Sequence, residues 1–230
     1  MHMSPLIKIF MIATLMNTVN AWSPSNYPFL PASTDTTKVR DMIIEAQGKN
    51  KRILDIGCGL GYSTSSSEGS MGIDMDRHNI KNAKKLFPDK NFRHSFVNAK
   101  NFEEEYDVVT CMFYLNNVPQ YIRNKIIDSA IEIAKERVVI VDINPDYVPE
   151  INLIKQRAYI PDYIKNCRKD LSLFNENVLV DGLLNIWIYN KEKKQPNTYE
   201  INNEINNERK LQIQNWQVNN EHWCNGKVLR

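Results

Sequence analysis

The sequence predicts an α/β fold: a doubly wound, mostly parallel sheet with helices on both faces and a terminal antiparallel hairpin. Three observations predict it. Short apolar segments that suit strands alternate along the chain with segments of helical periodicity. One of them, residues 137–142, contains a continuous apolar run of the kind that is buried on both faces of a sheet. Two late strand segments are joined across Asp181-Gly182, which suits a hairpin turn.

The first half of the chain alternates between helix and strand. Its predicted elements are a helix over residues 37–47, strands over 51–56 and 69–74, and a helix over 77–87. Asp76 suits the cap of the last helix and Pro88 its end. Only ten residues separate Gly61 from Gly72. We therefore expect a short, serine-rich crossover helix between the two strands, with free N–H groups at its start that can meet an anionic group.

The second half continues the alternation and closes with the hairpin. Its predicted elements are strands over residues 92–97 and 106–112, a helix over 123–135, a strand over 137–142, a helical region over 150–170, and strands over 178–180 and 184–189. Pro161 is expected to break or kink the helical region because proline lacks the N–H that a helix interior needs. The main folded domain is thus predicted to span residues 37–190.

Composition limits the class of protein. The chain has 230 residues, 42% of them hydrophobic and 24% charged, which suits one ordinary domain with short extensions. The formal net charge of +2 does not indicate a nucleic-acid partner, and Lys and Arg are scattered rather than arranged in a stripe. The sequence leaves open a basic patch assembled in three dimensions. The four cysteines form no C-x-x-C pair, so no metal site is predicted.

Both ends of the chain differ from the middle. Residues 1–36 are predicted to be a signal or targeting leader, whose apolar run is too short to span a bilayer. Val19 and Ala21 occupy the −3 and −1 positions of a predicted cleavage site after Ala21. The Ser-, Thr- and Pro-rich stretch that follows resembles plastid targeting sequences of algae with secondary plastids. A plain secretory signal and the hydrophobic arm of a cytoplasmic protein are the alternatives. Residues 191–230 are predicted to be a polar linker and a tail of undetermined role.

The candidate binding loop carries glycine at alternate positions. Gly57, Gly59 and Gly61 follow a strand that contains Asp55, and glycines let a backbone approach a ligand closely. A dinucleotide site would require a glycine where Tyr62 stands, and no Gly-Lys-Ser/Thr ending of a phosphate loop is present. These two absences narrow the pattern to D-x-G-x-G-x-G.

With Asp74 at the end of the second strand, this pattern resembles the class I methyltransferase family over about Lys51 to Tyr189. The resemblance implies S-adenosylmethionine as cofactor. It implies that the glycine loop holds the methionine part, that Asp74 binds the ribose hydroxyls, and that Asn98-Ala99 stands where the family often has an Asp-Ala contacting adenine. The implied cofactor-binding residues are Asp55, Gly57, Cys58, Gly59, Gly61, Asp74, Asn98 and Ala99.

Residues 106–119 resemble the fourth-strand motif of small-molecule methyltransferases, which implies a small-molecule acceptor. No separate recognition domain that would favour a protein or nucleic-acid acceptor is visible. Methyl transfer from a sulfonium needs alignment and exclusion of water, and a general base only for a weak nucleophile. Tyr114 and Asp142 are the candidates for a general base by their location. Many relatives have His-Glu where Asn116-Asn117 stand in this sequence. The helical region over residues 150–170 is expected to cover the acceptor site with Arg157, Tyr159, Tyr163 and Lys165. The rival hypothesis is a non-catalytic binding protein that keeps the fold, and the sequence does not address the oligomeric state.

Overall fold

The computed structural model describes residues 36–48, 50–102, 106–147 and 157–191. The predicted leader, the predicted tail and the first part of the helical region over 150–170 lie outside these residues. The helices are α1 (Thr36–Gln47), α2 (Arg77–Leu86), α3 (Gln120–Ile133) and α4 (Ile160–Asp170). The strands are β1 (Ile53–Ile56), β2 (Met71–Asp74), β3 (Phe92–His94), β4 (Tyr106–Met112), β5 (Ala134–Ile143), β6 (Asn175–Val180) and β7 (Leu184–Asn190).

Seven strands form one sheet in the order β3-β2-β1-β4-β5-β7-β6. The first five pair in parallel, whereas β7 runs antiparallel to both β5 and β6. The chain reverses its direction of travel across the sheet between β1 and β4, and a crevice opens at the carboxyl ends of strands at such a point. The predicted α/β fold and its terminal hairpin are confirmed.

Helices cover both faces of the sheet because alternate side chains of each parallel strand point to opposite sides. Asp55 of β1, Gly72 of β2 and Phe92 of β3 are in register and so share one face of the sheet. On this face the side chains of α2 pack against β3. On the opposite face, Ile56 and Ile126 of α3 line one small cavity. Between the layers lie the buried aliphatic side chains of β1, β4 and β5.

The predicted crossover helix between β1 and β2 is wrong. Residues 57–70 form turns and irregular backbone with no helix. The hydroxyls of Ser63 and Thr64 donate to the carboxylate of Asp55 instead of leaving the backbone to form a helical ladder. Gly57 and Gly61 adopt φ values of 71° and 88°, which a right-handed helix excludes. No helix N-terminus therefore follows the glycine loop.

Other element boundaries also differ from the sequence-based prediction. Pro161 lies at the second position of α4 and so begins the helix rather than kinking it, because the first-turn N–H groups have no acceptor within the helix. The third strand ends at His94 instead of continuing to Val97. The helix predicted from Arg123 begins three residues earlier, directly after Pro119.

Within the described residues, no helix is long and apolar enough to cross a membrane.

A buried ion-pair cluster fastens α3 to α4. The side chain of Arg123 is fully buried and donates through Nε to Asp170 at 2.7 Å and through Nη2 to Asp162 at 2.9 Å. Its Nη1 donates to the carbonyl oxygen of Val118 at 3.2 Å. One guanidinium therefore joins two helices and the segment that leads from β4 into α3.

Candidate functional site

A cavity of about 660 Å³ opens at the carboxyl ends of β1, β2 and β4. Its walls come from the loop after β1, the end of β2 with the start of α2, the segment after β4, the start of α1, and Arg157. This is the crevice that the strand order creates. Because the glycine loop forms one of its walls, the predicted loop and the observed cavity are one site.

The glycine loop approaches its surroundings too closely for other residues. A Cβ on Gly57 would lie 2.3 Å from the ring of Tyr114, and the φ of 71° is one that L-residues rarely adopt. The N–H groups of Gly57 and Cys58 donate to the carbonyl oxygen of Ile73 at 2.9 and 3.0 Å, which ties the loop to β2. A Cβ built on Gly59 would have no other atom within 4 Å. The loop therefore presents backbone, without side-chain bulk, to the cavity.

Asp55 lies beneath the loop and does not line the cavity. Its fully buried carboxylate accepts from Ser63 Oγ at 2.7 Å, Thr64 Oγ1 at 2.8 Å and Thr110 Oγ1 at 3.2 Å. Burial raises the pKa of Asp55, and the three hydroxyls oppose that rise by stabilising the ionised form. Its position indicates that Asp55 holds the loop in place from below, a role that the sequence alone did not identify.

Asp74 lies where the sequence predicted it, in the cavity wall at the end of β2. One carboxylate oxygen accepts from the N–H of Gly59 at 2.9 Å, and the other accepts from the N–H of Asp76 at 2.7 Å. The amide of Asn79 adds a longer contact at 3.4 Å. The side chain is thus fixed between the glycine loop and the start of α2.

The remaining predicted cofactor contacts divide into two groups. Cys58 lines the cavity beside Gly57 and Gly59, whereas Gly61 lies behind the loop, where a Cβ would meet Phe92 at 2.5 Å. Asn98 and Ala99 do not line the cavity. Asn98 is exposed and caps a short 3-10 helix by accepting from the N–H of Lys100 at 3.1 Å, and Ala99 packs against the core.

The two candidate bases lie in different places. Tyr114 lines the cavity, but burial raises the pKa of its phenol, which therefore stays protonated at neutral pH and suits a hydrogen-bond donor. Asp142 is fully buried away from the cavity and accepts from the N–H groups of Asn116 at 3.2 Å and Ile143 at 2.8 Å. Its location makes it a support for the turn at Asn116 rather than a base.

Asp142 is expected to give the protein a measurable pH dependence of stability. Burial raises its pKa from 3.8 to about 6, so between these values the folded state binds more protons than the unfolded state. Its contribution to stability is therefore complete below pH 3.8 and is lost as the pH rises through about 6. Urea unfolding across this range should show the wild type losing stability relative to Asp142→Asn. A constant difference between the two proteins would contradict this assignment.

Three cavity features were not found from the sequence. Phe113, directly after β4, has a φ of 59°, a strained value for a bulky residue, and backbone strain of this kind occurs often at functional sites. The guanidinium of Arg40 in α1 lies 4.6 Å from the centre of the Phe113 ring. Arg157 donates to Asn117 Oδ1 at 2.6 Å, so the second position of the Asn116-Asn117 pair holds a cavity residue in place. Of the four residues expected to cover the acceptor site, Arg157 lines the cavity, whereas Tyr159, Tyr163 and Lys165 do not. Tyr163 is fully buried and donates to the carbonyl oxygen of Ile143. Arg40 gave no local sequence signal.

No group of three or more His, Cys, Asp or Glu side chains is placed to hold a metal ion in the parts of the chain that the structure describes. The chemistry of the cavity is instead carried by two carboxylates, two guanidiniums and loop backbone. Asp74 and Asp76 adjoin the glycine loop, while Arg40 and Arg157 adjoin Phe113 and Asn117. The walls therefore offer acceptors for hydroxyl groups and donors for an anionic group.

Comparison with known proteins identifies the family. A family model described as a methyltransferase domain matches residues 34–187, which is more than half of the chain. The chain belongs to this methyltransferase family. The family resemblance expected from the glycine loop and Asp74 is confirmed.

Curated relatives match this chain over part of their length. A putative methyltransferase of Invertebrate iridescent virus 6 is 29% identical over 109 residues, which cover 44% of this chain and 41% of the viral protein. A ubiquinone biosynthesis O-methyltransferase of Hydrogenovibrio crunogenus is 37% identical over 81 residues, covering 31% and 34% of the two chains. The chain thus matches less than half the length of these relatives.

Solved structures share the fold of this chain. Magnesium protoporphyrin IX methyltransferase from Synechocystis, solved with bound SAH, superposes with a TM-score of 0.52 at 14% identity and covers 80% of this chain and 94% of its own. The N-methyltransferase NodS from Bradyrhizobium japonicum, also in complex with SAH, gives 0.51 at 10% identity, with 81% and 99% covered. At these identities the likeness shows the fold.

Proposed function

We propose that this methyltransferase binds S-adenosylmethionine in the cavity of about 660 Å³ and transfers its methyl group to a small molecule. The observation that carries the proposal is that Asp74 and the glycine loop, which follow two neighbouring strands, form adjoining walls of one cavity. The structural neighbours solved with SAH support the choice of cofactor. The volume lies in the range of cavities that hold small ligands.

The residues present fit this cofactor. The carboxylate of Asp74 can accept from both hydroxyls of a ribose, because an ionised carboxylate has acceptor sites on two oxygens. Gly57 and Gly59 leave space that a Cβ would reduce, so the loop backbone can contact a ligand directly. Arg40 and Arg157 suit a carboxylate, since a guanidinium presents a fork of donors of matching geometry.

When bound, the cofactor supplies a methyl group already activated on a sulfonium. The chain then needs to align the acceptor and exclude water. Tyr114 and Phe113 supply apolar walls, and the protonated phenol of Tyr114 can orient an acceptor oxygen or nitrogen. Neither candidate base suits the role: burial raises the pKa of the Tyr114 phenol, and Asp142 lies outside the cavity lining. This arrangement favours an acceptor whose nucleophile needs no base within the cavity.

Calorimetry with S-adenosylhomocysteine tests the cofactor site. Asp74→Ala should weaken binding by about tenfold or more, because hydrogen bonds to a charged group contribute about 1.5–3 kcal/mol each. Asn98→Ala should leave the affinity unchanged, because Asn98 lies outside the cavity. Binding that is lost in the Asn98 variant and retained in the Asp74 variant would refute this placement of the cofactor.

Catalysis is separated from binding by a second measurement. Incubation of the protein and labelled S-adenosylmethionine with a metabolite extract should yield a labelled small product that is absent with Asp74→Ala. Tight cofactor binding without any labelled product would favour the rival hypothesis of a non-catalytic binding protein.

We also propose that residues 1–21 act as a secretory signal. Support comes from the apolar run of residues 9–16 and from Val19 and Ala21 at the −3 and −1 positions. Expression of the full chain in a secreting eukaryotic cell should produce a mature N-terminus at Trp22, and Ala21→Arg should block that cleavage. Recovery of uncleaved wild-type chain from the cytoplasm would contradict the proposal.

A further inference from the structure

The exposed face of α2 carries a stripe of positive charge. Arg77, Lys81, Lys84 and Lys85 are all exposed and follow one another at helical spacing, so their side chains lie along one side of the helix. At 1.5 Å rise per residue the stripe is about 12 Å long. Lys and Arg look scattered along the whole chain, and it is the folding of this helix that aligns these four.

Nothing in the described part of the chain neutralises this stripe. The sequence of α2 contains no acidic residue, and no ion pair within the described residues joins any of the four cations to a carboxylate. Like charges at a spacing of four residues destabilise a helix. The charge is concentrated here although the whole chain carries a formal net charge of only +2.

The stripe is held in a fixed place beside the cofactor cavity without blocking it. Ile80 and Ala83 are buried against β3 and the glycine loop, so α2 cannot turn its basic face inward. Asn79, which lines the cavity, follows Arg77 by two residues and therefore points to roughly the opposite side of the helix from the stripe, at about 100° per residue. A partner bound to the stripe leaves the cavity open.

We propose that this stripe, which we call the α2 basic stripe, docks the protein onto a lipid bilayer that contains anionic headgroups. Four Lys or Arg residues on one face of an amphipathic helix are enough to bind such a surface electrostatically. A nucleic-acid partner fits less well, because α2 has no Phe, Tyr or Trp to stack on bases and the net charge of the chain is small. The proposal is independent of the identity of the methyl acceptor.

Vesicle co-sedimentation tests the proposal with the full chain. The wild type should bind vesicles of phosphatidylcholine mixed with phosphatidylglycerol, should ignore pure phosphatidylcholine, and should be released by high salt, which screens exposed charges. The triple variant Lys81→Gln, Lys84→Gln, Lys85→Gln should bind at least about tenfold more weakly, since each cation near an anionic surface contributes to affinity. Arg77 is left intact because it neighbours Asp76 in the cavity wall.

The matched control removes three exposed lysines elsewhere, with Lys125→Gln, Lys165→Gln and Lys169→Gln on α3 and α4. It should bind anionic vesicles like the wild type, and both triples should unfold cooperatively on heating and keep wild-type affinity for S-adenosylhomocysteine. Equal loss in the two triples would show a general charge effect and overturn the proposal. Absence of wild-type binding to anionic vesicles, or tighter binding to duplex DNA than to vesicles, would overturn it as well.

Discussion

Replacement of Arg123 by alanine is expected to lower the free energy of unfolding by about 3–5 kcal/mol, the usual cost of removing one member of a buried ion pair. The substitution leaves Asp170, whose side chain is 3% exposed, without its guanidinium partner, and it releases Asp162 and the carbonyl of Val118. Urea unfolding at low temperature measures the loss. The free energy of unfolding of Arg123→Lys should lie between those of the wild type and Arg123→Ala. An ammonium keeps the positive charge but cannot donate to all three acceptors as the guanidinium does.

Arg168 provides the matched control. It also pairs with two carboxylates, donating to Asp146 at 2.7 Å and to Glu176 at 3.1 Å, but its side chain is 49% exposed. Water and salt compensate for such pairs, so Arg168→Ala should cost far less than Arg123→Ala. Similar losses in the two variants would contradict the assignment of the Arg123 cluster as the main fastening between α3 and α4.

Gly57→Ala is expected to weaken S-adenosylhomocysteine binding by roughly tenfold or more. The new Cβ would meet the ring of Tyr114 at 2.3 Å, and such overpacking costs about 1–3 kcal/mol. The φ of 71° adds about 1–2 kcal/mol of backbone strain for an L-residue. The loop or Tyr114 must move, and both line the cavity. Calorimetry measures the change in affinity.

Gly182→Ala separates strain from position. Gly182 has a similar φ of 64° but nothing within 4 Å of a new Cβ, and it lies in the turn between β6 and β7, outside the cavity. It should lower stability slightly and leave the affinity for S-adenosylhomocysteine unchanged. The double variant Gly57→Ala, Tyr114→Ala should recover part of the affinity lost in Gly57→Ala if the overlap is its cause. No recovery would point to the backbone strain alone.

Strands β1, β4 and β5 were predictable because each contains a short apolar run, and that signal is local. The crossover after Gly61 was not, because its backbone follows hydrogen bonds from Ser63 and Thr64 to a carboxylate buried in β1. A serine-rich segment can equally begin a helix or avoid one. Pro161 was misread for a related reason: whether a proline interrupts or begins a helix depends on where the helix starts.

The sequence by itself determined the fold class, the glycine loop and the placement of Asp74, since periodicity and close spacing along the chain encode them. Only the tertiary structure decided which residues share the cavity. Arg40, Phe113 and Arg157 meet there from three distant segments, while Asn98 turns outward to cap its own 3-10 helix. The role of Asp142 was also decided by the tertiary structure. In the sequence it is an ordinary carboxylate at the end of a strand, and in the fold it is buried and accepts from the N–H of Asn116. The physical reason is that burial and contact between distant segments depend on how the layers pack, which no local pattern records.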